Sequence, residues 1–156
     1  MAAPTILPGA VEIGLSGAVT VVEGSARGSA ALDGGILLSV PGGLACMGVE
    51  VAYAHVSSLD LLDFGLQLAW TRPAGSASLY PFIALAAAVR QEWIGSFAET
   101  RYPVGVDLGV RALVAPSVDV RMQYRIRQVL GDPVEDFTEQ ELRVGVAILL
   151  RNAPPR

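Results

Sequence analysis

Val104-Gly105-Val106-Asp107-Leu108-Gly109-Val110-Arg111 is the stretch that decides the fold. Valine and leucine take every even position; Gly105, Asp107, Gly109 and Arg111 take every odd one. A period of two belongs to a β-strand, whose successive side chains point to opposite faces. The same alternation returns from Val118 through Tyr124 to Arg127, and again from Glu141 to Ile148. Extended along the chain, it predicts eight strands at about 10–22, 31–40, 44–56, 60–70, 78–93, 102–114, 118–130 and 139–151. Globular strands run roughly 5–6 residues, whereas a strand crossing a bilayer needs about 9–11. Strand length therefore points to a membrane-spanning sheet.

Composition agrees. The 156 residues form about one domain's worth of chain, read as a single barrel domain over 1–156 with short tails. Hydrophobic residues make up 52% and charged residues only 17%, which excludes a disordered chain. Mean hydropathy is +0.48, and a pI near 4.9 with a net charge of -4 argues against nucleic acid as a partner. No apolar run reaches the roughly 18 residues of a membrane helix, so the crossing elements are strands. Met1-Ala2-Ala3-Pro4 lacks the basic start of a secretory signal; an exported protein would here be in its mature form with a starter Met. One cysteine and one histidine exclude an intrachain disulfide and a multi-histidine metal site, and all 11 basic residues are arginine.

A soluble sheet and a membrane barrel both alternate, so the contents of the two faces must discriminate. One face carries Leu15, Leu32, Val49, Leu66, Leu85, Val106, Met122, Val144 and their alternate neighbours, with no Asp, Glu or Arg among them. Lipid demands that, because a basic residue at the bilayer midplane costs about 2–4 kcal/mol. The other face holds Glu12, Asp33, Glu50, Asp63, Glu92, Asp107, Asp119 and Glu141 beside Arg90, Arg111, Arg121, Arg125, Arg127 and Arg143. Among these sit Gly14, Ser16, Ala52, Gly65, Ala84 and Gly105. Small residues are poor strand formers on a water-facing sheet but suit the inside of a narrow barrel. Tyr53, Trp93 and Tyr102 gather towards one end and Trp70 towards the other, as aromatic girdles do at the two interfaces. The expected fold is all-β: an eight-stranded antiparallel up-and-down transmembrane β-barrel. The rival is a soluble calycin-like barrel with its apolar face inward.

Residues 10–151 resemble the small eight-stranded outer-membrane β-barrels of the OmpA/OmpX-like superfamily. The resemblance rests on the stretches Tyr80–Val89, Gly105–Arg111 and Val118–Arg125, and on the final hairpin ending at Ile148. It implies the bacterial outer membrane, both termini periplasmic, and outer-membrane lipid and lipopolysaccharide as surroundings of a monomer. Loops 23–30, 57–59, 94–101 and 131–138 would lie outside; 41–43, 71–77 and 115–117 would lie inside. The superfamily ends its last strand in an aromatic residue, where this chain has Leu149-Leu150-Arg151-Asn152.

Candidate chemistry is sparse. His55 and Ser57 form a His-x-Ser pair, and the lipid A deacylases, also eight-stranded barrels, carry such a pair on their outer wall. No acidic residue is evident in the sequence to orient His55, so an interfacial histidine beside a serine turn is the expectation. Glu50, Asp63 and Glu92 are expected to fill the barrel as ion-pair partners rather than act as catalytic carboxylates. Arg121, Arg125 and Arg127 are expected to neutralise acids rather than attract anions. Asp132, Glu135 and Asp136 form an acidic loop expected to be solvated. Cys46 is expected inward, buried and unreactive, and Gly34-Gly35 and Gly42-Gly43 match no phosphate-loop spacing. The reading is a barrel without enzymatic, cofactor or metal centres, with a structural or interaction role and an interior plugged by Arg, Asp and Glu. A narrow pore for water, ions or small solutes is the alternative, and a lipid-modifying enzyme comes third.

Overall fold

The computed structural model describes residues 5–74, 78–131 and 136–150. Eight strands follow one another: β1 (Val11–Val22), β2 (Ser25–Val40), β3 (Gly43–Val56), β4 (Leu59–Thr71), β5 (Leu79–Ile94), β6 (Phe97–Ala115), β7 (Val118–Leu130) and β8 (Phe137–Leu150). Each pairs antiparallel with the next, and β8 closes on β1 to make a barrel without an edge. All eight predicted strands are present.

The registers fix the geometry. A hydrogen-bonded row leaves β1 at Val11 and passes through Ile36, Met47, Leu68, Leu85, Val106, Ile126 and Gln140. It regains β1 at Val21, ten residues from where it started. Ten residues of stagger over eight strands tilt each strand by roughly 40° to the axis and leave an axial rise of about 2.5 Å per residue. Every residue of that row is outward. All of its members but Gln140 are apolar, and exposed large side chains such as Leu15, Phe64, Leu66, Leu85 and Ile148 form a continuous belt. The buried side chains are instead largely polar: Glu12, Asp63, Arg90, Asp107, Arg125 and Glu141 are all inside. That is the inverted arrangement of a membrane barrel, and the soluble alternative with apolar residues inward is excluded.

Two strands are longer than the sequence suggests. β2 begins at Ser25, not near 31, and β6 begins at Phe97, not near 102. The expected eight-residue loops 23–30 and 94–101 shrink to the tight turns Glu23-Gly24 and Gly95-Ser96. Glu23 and Gly24 both take positive φ (48° and 83°), the requirement of a two-residue turn matched to strand twist. The backbone ladder does not need apolar side chains, so it continues above the lipid belt where the sequence turns polar. Asp132 and Glu135 of the predicted acidic loop lie outside the described residues; the Oδ1 of Asp136 accepts from the Gly131 amide at 3.3 Å.

The mouth at which β1 begins is closed by an apolar cluster. Ile6, Ala10, Leu37, Leu44, Tyr80, Leu113 and Leu149 pack there. The segment before β1 is tied in by the Ile6 amide donating to Tyr80 Oη (3.0 Å) and the Gly9 amide donating to the Leu37 carbonyl (2.6 Å).

Candidate functional site

Polar chemistry among the described residues is concentrated in the interior. The strand pleat sends alternate residues inward, so acids and arginines from different strands meet across a lumen too narrow for water to separate them. All fourteen charged residues expected inside are there, and each makes an ion pair. They fall into two networks among the described residues.

Near the apolar mouth, Arg111 pairs with Glu12 and Asp119. Arg121 pairs with Asp33 (2.9 Å), Asp119 (3.0 Å) and Glu12 (3.3 Å). Cys46 is buried as expected, and its Sγ donates to Glu12 Oε1 at 3.2 Å.

The second network fills the remaining height. Arg125 clamps Asp107 (2.6 Å) and reaches Glu50 (2.9 Å). Arg143 joins Glu50 to Glu141. Arg127 touches Asp63 (3.1 Å), Glu139 (2.6 Å) and Glu141 (3.2 Å). Arg90 holds Asp63 through two nitrogens (2.6 and 2.9 Å) and Glu139 (2.9 Å), and Arg101 extends the chain to Glu92 (3.0 Å) and Glu99 (3.1 Å). The two-pronged guanidinium contacts are the geometry in which arginine exceeds lysine.

Between the networks lies a layer of Ser16, Gln67, Gln123 and small residues. Gln67 Nε2 donates to Asp107 Oδ2 at 2.6 Å. Ser16 Oγ is buried without a protein partner among the described residues and lines a cavity of about 20 Å³, enough for one water. Two further interior cavities measure about 20 and 10 Å³.

Arg27, Arg101 and Glu139 belong to this interior but were not expected there. Arg27 pairs with Glu139, which also receives Arg90 and Arg127. Parity carries the missing signal: Arg27 is an even step from Asp33, and Glu139 is two before Glu141. Arg27 and Arg101 fall in the stretches 23–30 and 94–101 that read as loops, whereas Glu139 is the first residue of the eighth predicted strand.

Of the expected girdle, Tyr53, Trp70 and Tyr102 are exposed on the outer wall, and Trp93 is half-buried opposite Asp60. The outer rim also corrects the reading of His55. An acid does hold it: Asp60, its cross-strand partner, places Oδ1 2.9 Å from His55 Nδ1 and accepts a 2.6 Å bond from Tyr53 Oη. The pairing crosses the β3–β4 hairpin, and sequence spacing does not reveal hairpin register. Ser57 sits in the turn with φ 55°, so strand alternation does not put it on the face of His55.

Fold and interior together define a small eight-stranded membrane β-barrel with a charge-filled lumen. No protein-family model matches the chain, and no curated protein does. Solved structures match closely in fold. Neisserial surface protein A shares 16% identity over 89% of this chain and 95% of its own, with a TM-score of 0.67. The N-terminal β-barrel domain of Pseudomonas aeruginosa OprF shares 13% over 92% and 98%, with a TM-score of 0.65. The outer membrane enzyme PagL shares 14% over 85% and 97%, with a TM-score of 0.55. The chain thus has the fold of the small outer-membrane barrels.

Proposed function

We propose that this protein is a closed barrel of the bacterial outer membrane with a structural or interaction role, not a conduit. The observation that carries the reading is the filled lumen. Interior cavities of about 10–20 Å³ stand between ion-pair layers, each large enough for about one water. Both termini are assigned to the periplasmic side. Val11 at the start of β1 pairs with Leu150 at the end of β8, so the two ends leave by one rim. The barrel acts as a monomer surrounded by outer-membrane lipid and lipopolysaccharide. Planar-bilayer recording of the reconstituted protein tests the reading. The expected trace is silent or shows brief, small openings, and a steady open channel would replace the plug by the narrow-pore reading.

A second reading, an enzyme acting on membrane lipid, is favoured by one observation: His55 has an acid partner in Asp60. An imidazole held by a carboxylate at Nδ1 has the orientation a general base uses. Release of free fatty acid from lipopolysaccharide by the purified barrel, abolished in His55→Ala, would establish it. Absence of release leaves the non-enzymatic reading standing.

A further inference from the structure

We infer that the outer wall carries a specific site for one acyl chain of a glycolipid, formed by β8, β1, β2 and β3 and closed at the rim by Tyr53, His55 and Asp60. This rests on the membrane-barrel reading, whose own failure would show separately as a protein monodisperse without detergent.

A groove of about 580 Å³ runs up this wall. Its floor is Gly17, Gly28 and Ala30, three adjacent outward positions carrying at most a methyl group. Its sides are Val19, Leu142, Val144 and Tyr53, and His55 stands at its upper end. The groove is shallow and open to the lipid along its length, so a chain lying in it keeps one side against the bilayer. From Val144 to His55 the groove climbs about 14 Å along the axis, about half of the roughly 30 Å hydrocarbon core. It is therefore one leaflet deep.

The backbone does not demand those glycines. Neither Gly17 nor Gly28 has positive φ. A Cβ would meet nothing nearer than the Ser29 carbonyl at 3.9 Å from Gly17, or the Ala18 carbonyl at 4.0 Å from Gly28. Glycine weakens a strand, and large apolar side chains suit lipid-facing positions. What the glycines provide is room.

The rim identifies the occupant. A chain in the groove brings its polar end to the Asp60 cluster, whose side chains are about half exposed, His55 57% and Asp60 42%. Asp60 Oδ2 and His55 Nε2 have no protein partner among the described residues. A carboxylate accepts from sugar hydroxyls and repels phosphate, so the charge complements a hydroxyl-bearing headgroup. A larger depression of about 1080 Å³ lower on the wall has only apolar or glycine residues facing outward, and so nothing to orient a headgroup.

The test is native mass spectrometry of the detergent-purified barrel with tetradecanoylglucosamine or tetradecanoyl lysophosphatidic acid as probe. Folding of each variant is verified by its heat-dependent electrophoretic mobility. The wild type should retain one glycolipid saturably and favour it over the phosphate probe. Gly28→Leu and Ala30→Leu, which fill the floor, should weaken retention at least tenfold, while Ala87→Leu in the other depression should not. Asp60→Asn should narrow the preference against phosphate. Unchanged retention in the filled but folded variants overturns the site, as does a wild type that binds neither probe saturably. Preference for the phosphate probe overturns the headgroup assignment.

Discussion

Replacing Arg125 by methionine tests whether the lumen is dry. Arg125 is 2% exposed. Its Nε and Nη2 donate to the two oxygens of Asp107 at 2.6 and 2.7 Å, and its Nη1 donates to Glu50 at 2.9 Å. Methionine fills most of the stem's volume but supplies no donor. Glu50 keeps Arg143. Among the described residues Asp107, with no exposed surface, keeps only the amides of Gln67 (2.6 Å) and Gln123 (3.5 Å). Removing one partner of a buried pair costs about 3–5 kcal/mol, because the other charge is stranded. Urea unfolding in lipid vesicles, followed by Trp70 and Trp93 fluorescence, should report that loss. Adding Asp107→Asn removes the stranded charge and should recover about 2 kcal/mol, a non-additivity within the roughly 0.5–3 kcal/mol seen for contacting residues. A single-variant loss under about 1 kcal/mol, the range of exposed ion pairs, would place Arg125 in water and refute the plug.

Three further outcomes follow from the same geometry. Leu15→Arg and Leu66→Arg, at outward positions 65% and 67% exposed, should each cost about 2–4 kcal/mol in bilayers, whereas a soluble barrel would tolerate them; vesicle unfolding decides. Gly105→Ala should destabilise by about 1–3 kcal/mol, since its Cβ would run into the Ile126 carbonyl and lie 2.8 Å from Arg127 Cγ. Gly17→Ala should instead be neutral or stabilising by up to about 1 kcal/mol in the same assay. Tyr80→Phe removes the acceptor of the Ile6 amide, and about 1 kcal/mol of lost hydrogen bonding should speed exchange of that amide roughly fivefold.

The barrel was legible because lipid imposes a rule on every outward residue. A single run such as Val104–Arg111 already contains the period, the clean face and the charged face, and eight repeats of it leave little choice of architecture. Strand ends were less legible, because the rule stops where lipid stops. Above the belt, Arg27 and Arg101 sit among serines, glycines and threonines that read as loop, yet their side chains still face inward and pair. Individual ion pairs were not legible at all. Which acid meets Arg127 depends on the ten-residue stagger of the closed sheet, a global quantity no local window contains. Asp60 illustrates the point on a small scale: it reaches His55 only through the β3–β4 register.

The same stagger explains why the basic residues of the two interior networks are all arginine. Strands that are distant in the ring must be joined across the lumen, and one side chain has to satisfy acids at several heights. Arg127 on β7 joins Asp63 of β4 to Glu139 and Glu141 of β8. Arg111 of β6 reaches Glu12 of β1, and Arg90 of β5 reaches Glu139 of β8. A lysine offers a single point charge, whereas a guanidinium presents five donors in a plane and can hold two or three carboxylates at once. Each such arginine spans the lumen and contacts more than one acid, so the groups that brace the wall also occupy the space within it. To conduct, the barrel would have to open the apolar mouth around Ile6 and Tyr80, the two-arginine network and the six-arginine network together. Breaking one layer would leave the others in place, so the silent barrel proposed above rests on the cross-strand pairing as well as on the narrowness of eight strands.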